Sequence, residues 1–236
     1  MEEKLATLID RLKSAFGDRL VSAILYGSAA AGDWHQRRSD LNVLCVLSRL
    51  SPEELAKSEP LFRWWREQGN PPPLLLTSEE IATSSDCFPM EFHDMQEHRR
   101  LLFGADVIRD VTVEDSFYRA QVECELRSKQ IRLRQQAAEL LSKPERLVKL
   151  LTDSVSTFCV LGRHALILSG NQPRWKKSEI LGAMKETLGL PVRTFNEILA
   201  IRESGKQPSA ANCAPLLESY LMEIDALVRF VDALAK

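Results

Sequence analysis

The chain has 236 residues, of which 44% are hydrophobic and 27% are charged, proportions that are typical of globular proteins and exclude disordered or collagen-like chains. Its 31 Lys and Arg residues balance 33 Asp and Glu residues, giving a formal net charge of −2. The chain therefore lacks the basic excess that drives general nucleic-acid binding.

The cysteines and the N-terminus indicate the compartment. The five cysteines are widely scattered without CxxC spacing, which argues against a disulfide framework and against a zinc knuckle. The N-terminus is acidic and amphipathic, and no stretch approaches the ~18 uninterrupted apolar residues of a membrane span. We therefore expect a soluble, cytoplasmic protein with no membrane partner.

The first half of the chain alternates helical and strand-like patterns. Apolar residues at helical spacing predict a helix from Leu5 to Phe16. Ser51, followed by Pro52 and two acids, predicts the start of a second helix. The strand-like runs, in chain order, are Leu20–Tyr26, Leu41–Leu47, Leu74–Leu76 and Met90–Phe92.

The second half contains only helical patterns, separated by glycines and prolines. The change of pattern predicts two domains, an α/β domain over residues 1–112 and an all-helical bundle over residues 113–236. The predicted helices cover residues 114–142, 145–169, 177–188, 192–203 and 210–235.

Two short motifs lie where the first predicted strand ends and the second begins. Leu25-Tyr26-Gly27-Ser28 ends the first strand, and Asp40-Leu41-Asn42-Val43 opens the second after eleven intervening residues. Successive strand residues point to opposite faces, so Asp40 and Asn42 share one face, about 7 Å apart. Gly27 permits a tight turn at which backbone amides can approach a phosphate. The two motifs together predict a site for a metal-bound anion.

These motifs resemble those of the nucleotidyltransferase superfamily related to DNA polymerase β, in which Gly-Ser is followed by Asp-x-Asp. The order of domains is similar to that of aminoglycoside nucleotidyltransferases and of uncharacterised bacterial members. The resemblance implies a nucleotidyltransferase-like domain with a mixed sheet, followed by a helical domain. It assigns nucleotide binding to Gly27, Ser28 and Ser39, and metal binding to Asp40 and Asn42.

The activity that the resemblance implies is transfer of a nucleoside monophosphate, usually AMP, from ATP or another nucleoside triphosphate to a hydroxyl group. Two Mg²⁺ ions assist this reaction because they stabilise the attacking and leaving oxygens. The acceptor would be a small molecule or a protein side chain, which the sequence does not identify.

The chain departs from the superfamily pattern at Asn42, where a carboxylate is expected. An amide offers one neutral oxygen and cannot bridge two cations as a carboxylate does. The second Mg²⁺ would therefore be held less securely, and catalysis would be weakened unless another acid compensates.

The superfamily pattern also requires a third acid, for which Glu91 is the best candidate. Glu91 lies between Met90 and Phe92 in a predicted strand, where an acid is otherwise disfavoured. By resemblance it would hold a metal ion or accept the proton of the attacking hydroxyl. Asp94 and His93 are the alternatives.

One face of the first helix in the second half is polar, and it carries Glu123, Arg127, Gln130 and Arg134. If this face borders the site, Arg127 would bind the triphosphate and Glu123 would act as a base. The alternative is a solvated surface with ion pairs between residues four positions apart. The segment Trp175-Lys176-Lys177 is a further candidate for acceptor contact.

Two other functions are compatible with the same motifs. One is a catalytically impaired nucleotide-binding or protein-interaction module that keeps the fold. The other is an antitoxin-like AMP-transferase that modifies a partner protein. The oligomeric state and the preferred base are not indicated by the sequence.

Overall fold

A computed structural model describes residues 1–32, 40–113, 115–206 and 208–234 of the chain. The chain divides into two compact units, Met1–Asp115 and Ser116–Lys236. Within the described ranges, no helix is long and apolar enough to cross a membrane.

The first unit combines four helices with four strands in the described residues. Its elements are, in chain order, α1 (Glu2–Phe16), β1 (Leu20–Tyr26), β2 (Asn42–Leu47), α2 (Pro52–Glu67), β3 (Leu74–Thr77), α3 (Ser78–Thr83), α4 (Pro89–Glu97) and β4 (Arg99–Gly104). The first three predicted strands are confirmed, and each end lies within two residues of the predicted one. The predicted first helix is also confirmed, but it begins three residues earlier. The predicted cap of α2 is also confirmed, because Ser51 forms a reciprocal capping box with Glu54.

The strands form a mixed sheet in the order β3-β2-β1-β4. Strand β1 is antiparallel to both β2 and β4, whereas β2 and β3 are parallel. Alternate residues supply two hydrophobic cores, one on each face of the sheet. Helices α1 and α2 cover the face that contains Leu25 and Val43, and helices α3 and α4 cover the face that contains Ile24 and Leu44.

The prediction of a strand over Met90–Phe92 is wrong, because these residues lie in helix α4. Pro89 occupies the first turn, where its missing N–H costs nothing, and Glu91 adds a favourable charge there. The helix buries Phe92 and Met95, which are three positions apart, against the sheet. The strand that follows, β4, was not predicted.

The second unit is helical throughout the described residues. Its helices are α5 (Asp115–Ala138), α6 (Pro144–Leu168), α7 (Lys177–Leu188), α8 (Arg193–Ser204) and α9 (Ala210–Ala233). Helix α6 packs against α7, α8 and α9 and carries the largest set of buried residues. The predicted fold class, an α/β unit with a mixed sheet followed by an all-helical unit, is confirmed.

A buried carboxylate caps one helix of this unit. The residue that precedes α8 is Val192, whose side chain has no hydrogen-bonding group. Glu223 of α9 is only 6% exposed, and its two oxygens accept hydrogen bonds from the N–H groups of Thr194 (2.8 Å) and Phe195 (3.0 Å). A negative charge at this end is also favoured by the helix dipole. Glu223 therefore ties the start of α8 to α9.

Candidate functional site

The turn after β1 requires glycine. Gly27 has a φ of 76°, a left-handed conformation that other residues rarely adopt. Its carbonyl accepts hydrogen bonds from the N–H groups of Ala30 (3.0 Å) and Ala31 (3.1 Å). A Cβ atom at position 27 would lie 3.3 Å from Nδ2 of Asn42, so the Asn42 side chain packs directly beside this turn. The structure thus brings the two predicted motifs together.

Strand pairing explains this proximity. Tyr26, the last residue of β1, lies opposite Asn42, the first residue of β2. Alternation along both strands places them on the face covered by α3 and α4, since Tyr26 packs against the core of that face. Asp40 precedes β2 by two residues and is exposed. Its carboxylate is therefore accessible to solvent at the same end of the sheet.

Glu91 lies on this face of the sheet, but on a helix. It is in the first turn of α4 and is exposed. The pKa of the Tyr26 hydroxyl is raised, first because the group is partly buried and second because of the negative charge of Glu91. The alternative acids and bases, His93 and Asp94, lie on the same helix and are half-buried.

Two predicted phosphate contacts are not located. Ser39 lies outside the described residues, and Ser28 is described only by its backbone, in the turn from Gly27 to Ala29. Their roles in nucleotide binding stay predictions.

The predicted polar face of α5 carries ion pairs, but the assignment of Gln130 to it is wrong, because Gln130 is buried. Glu123 accepts hydrogen bonds from Arg119 (2.8 Å) and Arg127 (2.7 Å), which together lower its pKa. Arg127 also lies 3.3 Å from Asp232 on α9. The pairing matches the alternative interpretation of this face, a surface with ion pairs between neighbouring turns. The binding of triphosphate by Arg127 stays a prediction.

The comparison with solved structures bears on the whole chain. The crystal structure of spectinomycin adenyltransferase AAD(9) from Enterococcus faecialis with ATP and spectinomycin superposes with a TM-score of 0.62. The alignment covers 98% of this chain and 99% of that chain, at 15% sequence identity. The chain has a nucleotidyltransferase-like fold. No family model and no curated protein matches the sequence.

Metal binding stays a prediction for this site. In the nucleotidyltransferase-like unit the available donors are the carboxylates of Asp40 and Glu91 and the amide of Asn42. Among the described ranges, no three His, Cys, Asp or Glu residues are grouped so as to hold a metal ion. Mg²⁺ is commonly bound by one or two carboxylates together with substrate phosphates. Asp40 and Asn42 suit that arrangement.

Arg99 fixes the corner between α4 and β4. Its guanidinium binds both carboxylate oxygens of Asp106, at 2.9 to 3.1 Å, and donates to the carbonyls of Met95 (3.3 Å) and Gln96 (2.8 Å) at the end of α4. Since Arg99 is also paired with Tyr26 in the sheet, this cluster holds the helix that carries Glu91 against β1.

We expect the Arg99–Asp106 pair to make the stability of the fold depend on pH. Arg99 holds the pKa of the Asp106 carboxyl below its ordinary value of 3.8, chiefly by hydrogen bonding. The pair therefore stabilises the fold fully above pH 3.8, and this contribution is lost as the pH falls through the lower folded pKa. Asp106→Asn should lower the free energy of unfolding by about 2 kcal/mol at pH 7. The deficit should shrink below pH 3.8, measured by urea unfolding at several pH values.

The matched control is Asp110→Asn, which removes an exposed carboxylate four positions away. It should change stability by less than about 0.5 kcal/mol. Equal effects of the two variants at neutral pH would contradict the structural role of the Arg99–Asp106 pair.

Sequence reasoning missed Asn70, which contacts the second motif from a distant part of the chain. Its Oδ1 accepts a hydrogen bond from the N–H of Leu41 (3.1 Å) across 29 positions. Only the placement of Gly69 and Asn70 between a helix and a run of prolines hinted at a defined turn there.

Proposed function

We propose that the chain transfers a nucleoside monophosphate, AMP in the first instance, from a nucleoside triphosphate to a hydroxyl group. The observation that carries this proposal is the contact between Gly27 and Asn42, with Asp40 two residues away. It occurs in a fold shared with an adenyltransferase that was crystallised with ATP and spectinomycin. The acceptor in this proposal is a small molecule, which the spectinomycin bound to that neighbour supports, or alternatively a protein side chain.

In this reaction the acceptor oxygen bonds to the α-phosphorus, the bond from that phosphorus to the β-phosphate oxygen breaks, and pyrophosphate leaves. The amides of Gly27 and Ser28 bind phosphate oxygens, since the turn has no side chain at Gly27 to block their approach. Asp40 and Asn42 would hold Mg²⁺, and the ion would neutralise charge on the phosphates. Glu91 accepts the proton of the acceptor hydroxyl as a general base, since its side chain is exposed at the start of α4.

The first test is calorimetry of the full chain with ATP, with and without Mg²⁺. We expect binding in the micromolar to millimolar range that is at least about tenfold tighter with Mg²⁺. Release of pyrophosphate in the presence of candidate acceptors, aminoglycosides and related polyols first, then tests transfer. A chain that binds no nucleotide under either condition would overturn the proposal.

A second function is favoured by Asn42. With an amide in place of the second acid, the same fold could bind a nucleotide without turning it over and act as a nucleotide-dependent binding module. ATP binding without pyrophosphate release, unchanged by Asn42→Asp, would favour this function over transfer.

A further inference from the structure

Among the described residues, the start of β2 has no neighbouring strand on the side of β3. Strand β3 pairs with β2 only from Leu44 onward, where Leu44 lies opposite Leu74. Leu41 is earlier than this pairing, and its N–H instead donates to Oδ1 of Asn70 in a buried hydrogen bond. The Asn70 side chain therefore supplies an acceptor where the sheet supplies none.

Asn70 is itself held in a fixed position. It is 8% exposed, and its own N–H donates to the carbonyl of Trp65, which is fully buried in the core between α2 and the sheet. Three prolines, residues 71–73, follow it and restrict the backbone, because each proline ring fixes its φ angle. The acceptor offered to Leu41 is therefore rigid.

We propose that Asn70 is a positioning residue for Asp40. The N–H of Leu41 belongs to the peptide group that joins Asp40 to Leu41, so a fixed acceptor for this N–H fixes the ψ angle of Asp40. That angle sets the direction of the Asp40 side chain relative to Asn42 and the Gly27 turn. The role at Mg²⁺ and nucleotide rests on the proposed function.

The nitrogen of the Asn70 side-chain amide distinguishes this role from simple stabilisation. Nδ2 of Asn70 is buried and has no hydrogen-bond partner among the described residues. An unpaired buried donor is destabilising. Asn70 therefore contributes less to stability than a fully paired side chain would, and its main effect is expected at Asp40.

The local part of the proposal is tested by hydrogen exchange of the Leu41 amide, observed by NMR in the full chain. Asn70→Ala should speed exchange at Leu41 by about tenfold or more, since the amide loses its acceptor. The matched control is Ser58→Ala, which removes a partly buried hydrogen bond from the buried Ser58 side chain to the carbonyl of Leu55 within α2. Unchanged exchange in Asn70→Ala, or an equal change in Ser58→Ala, would overturn the proposal.

The functional part is tested by a double-mutant cycle on the affinity for ATP with Mg²⁺. In the wild-type background Asn70→Ala should weaken this affinity about tenfold, as losses of supporting side chains at metal sites do. In an Asp40→Asn background the same change should have less than about a twofold effect, because Asn70 acts through Asp40. Ser58→Ala should leave the affinity unchanged in both backgrounds.

The outcomes separate this proposal from the proposed function. Equal losses in the two backgrounds would mean that Asn70 acts independently of Asp40 and would overturn its positioning role alone. No binding of ATP by the wild-type chain would overturn the proposed function and the role of Asn70 together.

Discussion

Asp40→Asn is expected to lower the rate of nucleotidyl transfer by about 100-fold or more, because stabilisation of phosphate charge by a metal ion is worth several kcal/mol. Asn42 is already neutral, so this variant leaves only amide side chains at positions 40 and 42. The affinity for ATP should become nearly independent of Mg²⁺. Pyrophosphate release and calorimetry at several Mg²⁺ concentrations measure the two effects.

The matched variant is Asn42→Asp, which changes the neighbouring position in the opposite direction. It adds a hard oxygen ligand without a change of side-chain size, so Mg²⁺ should be bound about tenfold more tightly and transfer should be faster. The Asp40→Asn/Asn42→Asp double variant keeps the number of carboxylates and tests whether their position matters. If Asp40→Asn retains the Mg²⁺ dependence of the wild type, Asp40 is not a metal ligand.

Glu223→Ala is expected to have the largest effect on stability, lowering the free energy of unfolding by about 3 kcal/mol. The change removes a charged acceptor from two helical N–H groups, at 2.8 and 3.0 Å, and leaves both buried. Urea unfolding followed by circular dichroism measures the loss.

Glu223→Gln and Glu218→Ala complete this experiment. Glutamine keeps one acceptor oxygen but loses the charge at the start of α8, so an intermediate loss of about 1.5 kcal/mol is expected. Glu218 lies exposed on the same helix, and its replacement should cost less than about 0.5 kcal/mol. Similar losses for Glu218→Ala and Glu223→Ala would refute the capping role of Glu223.

The strands that carry the two motifs could be predicted from the sequence, because both are continuous apolar runs. Strands Leu20–Tyr26 and Asn42–Leu47 are buried almost throughout. Because both of their faces are buried, they can be recognised in the sequence as strands. Their pairing in antiparallel register then places Asn42 beside Gly27. The helices of the second unit were predicted for a similar reason, since glycines and prolines separate long periodic segments.

The segment around Glu91 was wrongly predicted as a strand, because its few apolar residues fit both the two-residue period of a strand and the period of a helix. Phe88, Met90 and Phe92 alternate as in a strand, but Phe88 is 48% exposed and does not belong to the core. The pair that is buried against the sheet is Phe92 and Met95, at helical spacing. Over so few residues, tertiary packing and the proline at position 89 decide between helix and strand.

Asn70 could not have been predicted, because its contact with Leu41 joins positions 29 residues apart through a side chain. Local propensity carries no information about such a pair. Strand β4 was missed because it begins with two arginines and is only partly buried, which weakens the apolar signal of an edge strand.

Because Glu91 lies on a helix and not on a strand, different positions could supply a carboxylate in its place. On a strand, side chains two positions away would project in the same direction, and His93 would be the natural substitute. On helix α4, the neighbours of Glu91 are instead three and four positions away, at Asp94 and Met95. Met95 is buried in the core and cannot carry an acid without a large loss of stability. A genetic selection that starts from an inactive Glu91→Gln chain should therefore recover variants that reorient Asp94, rather than changes at position 93.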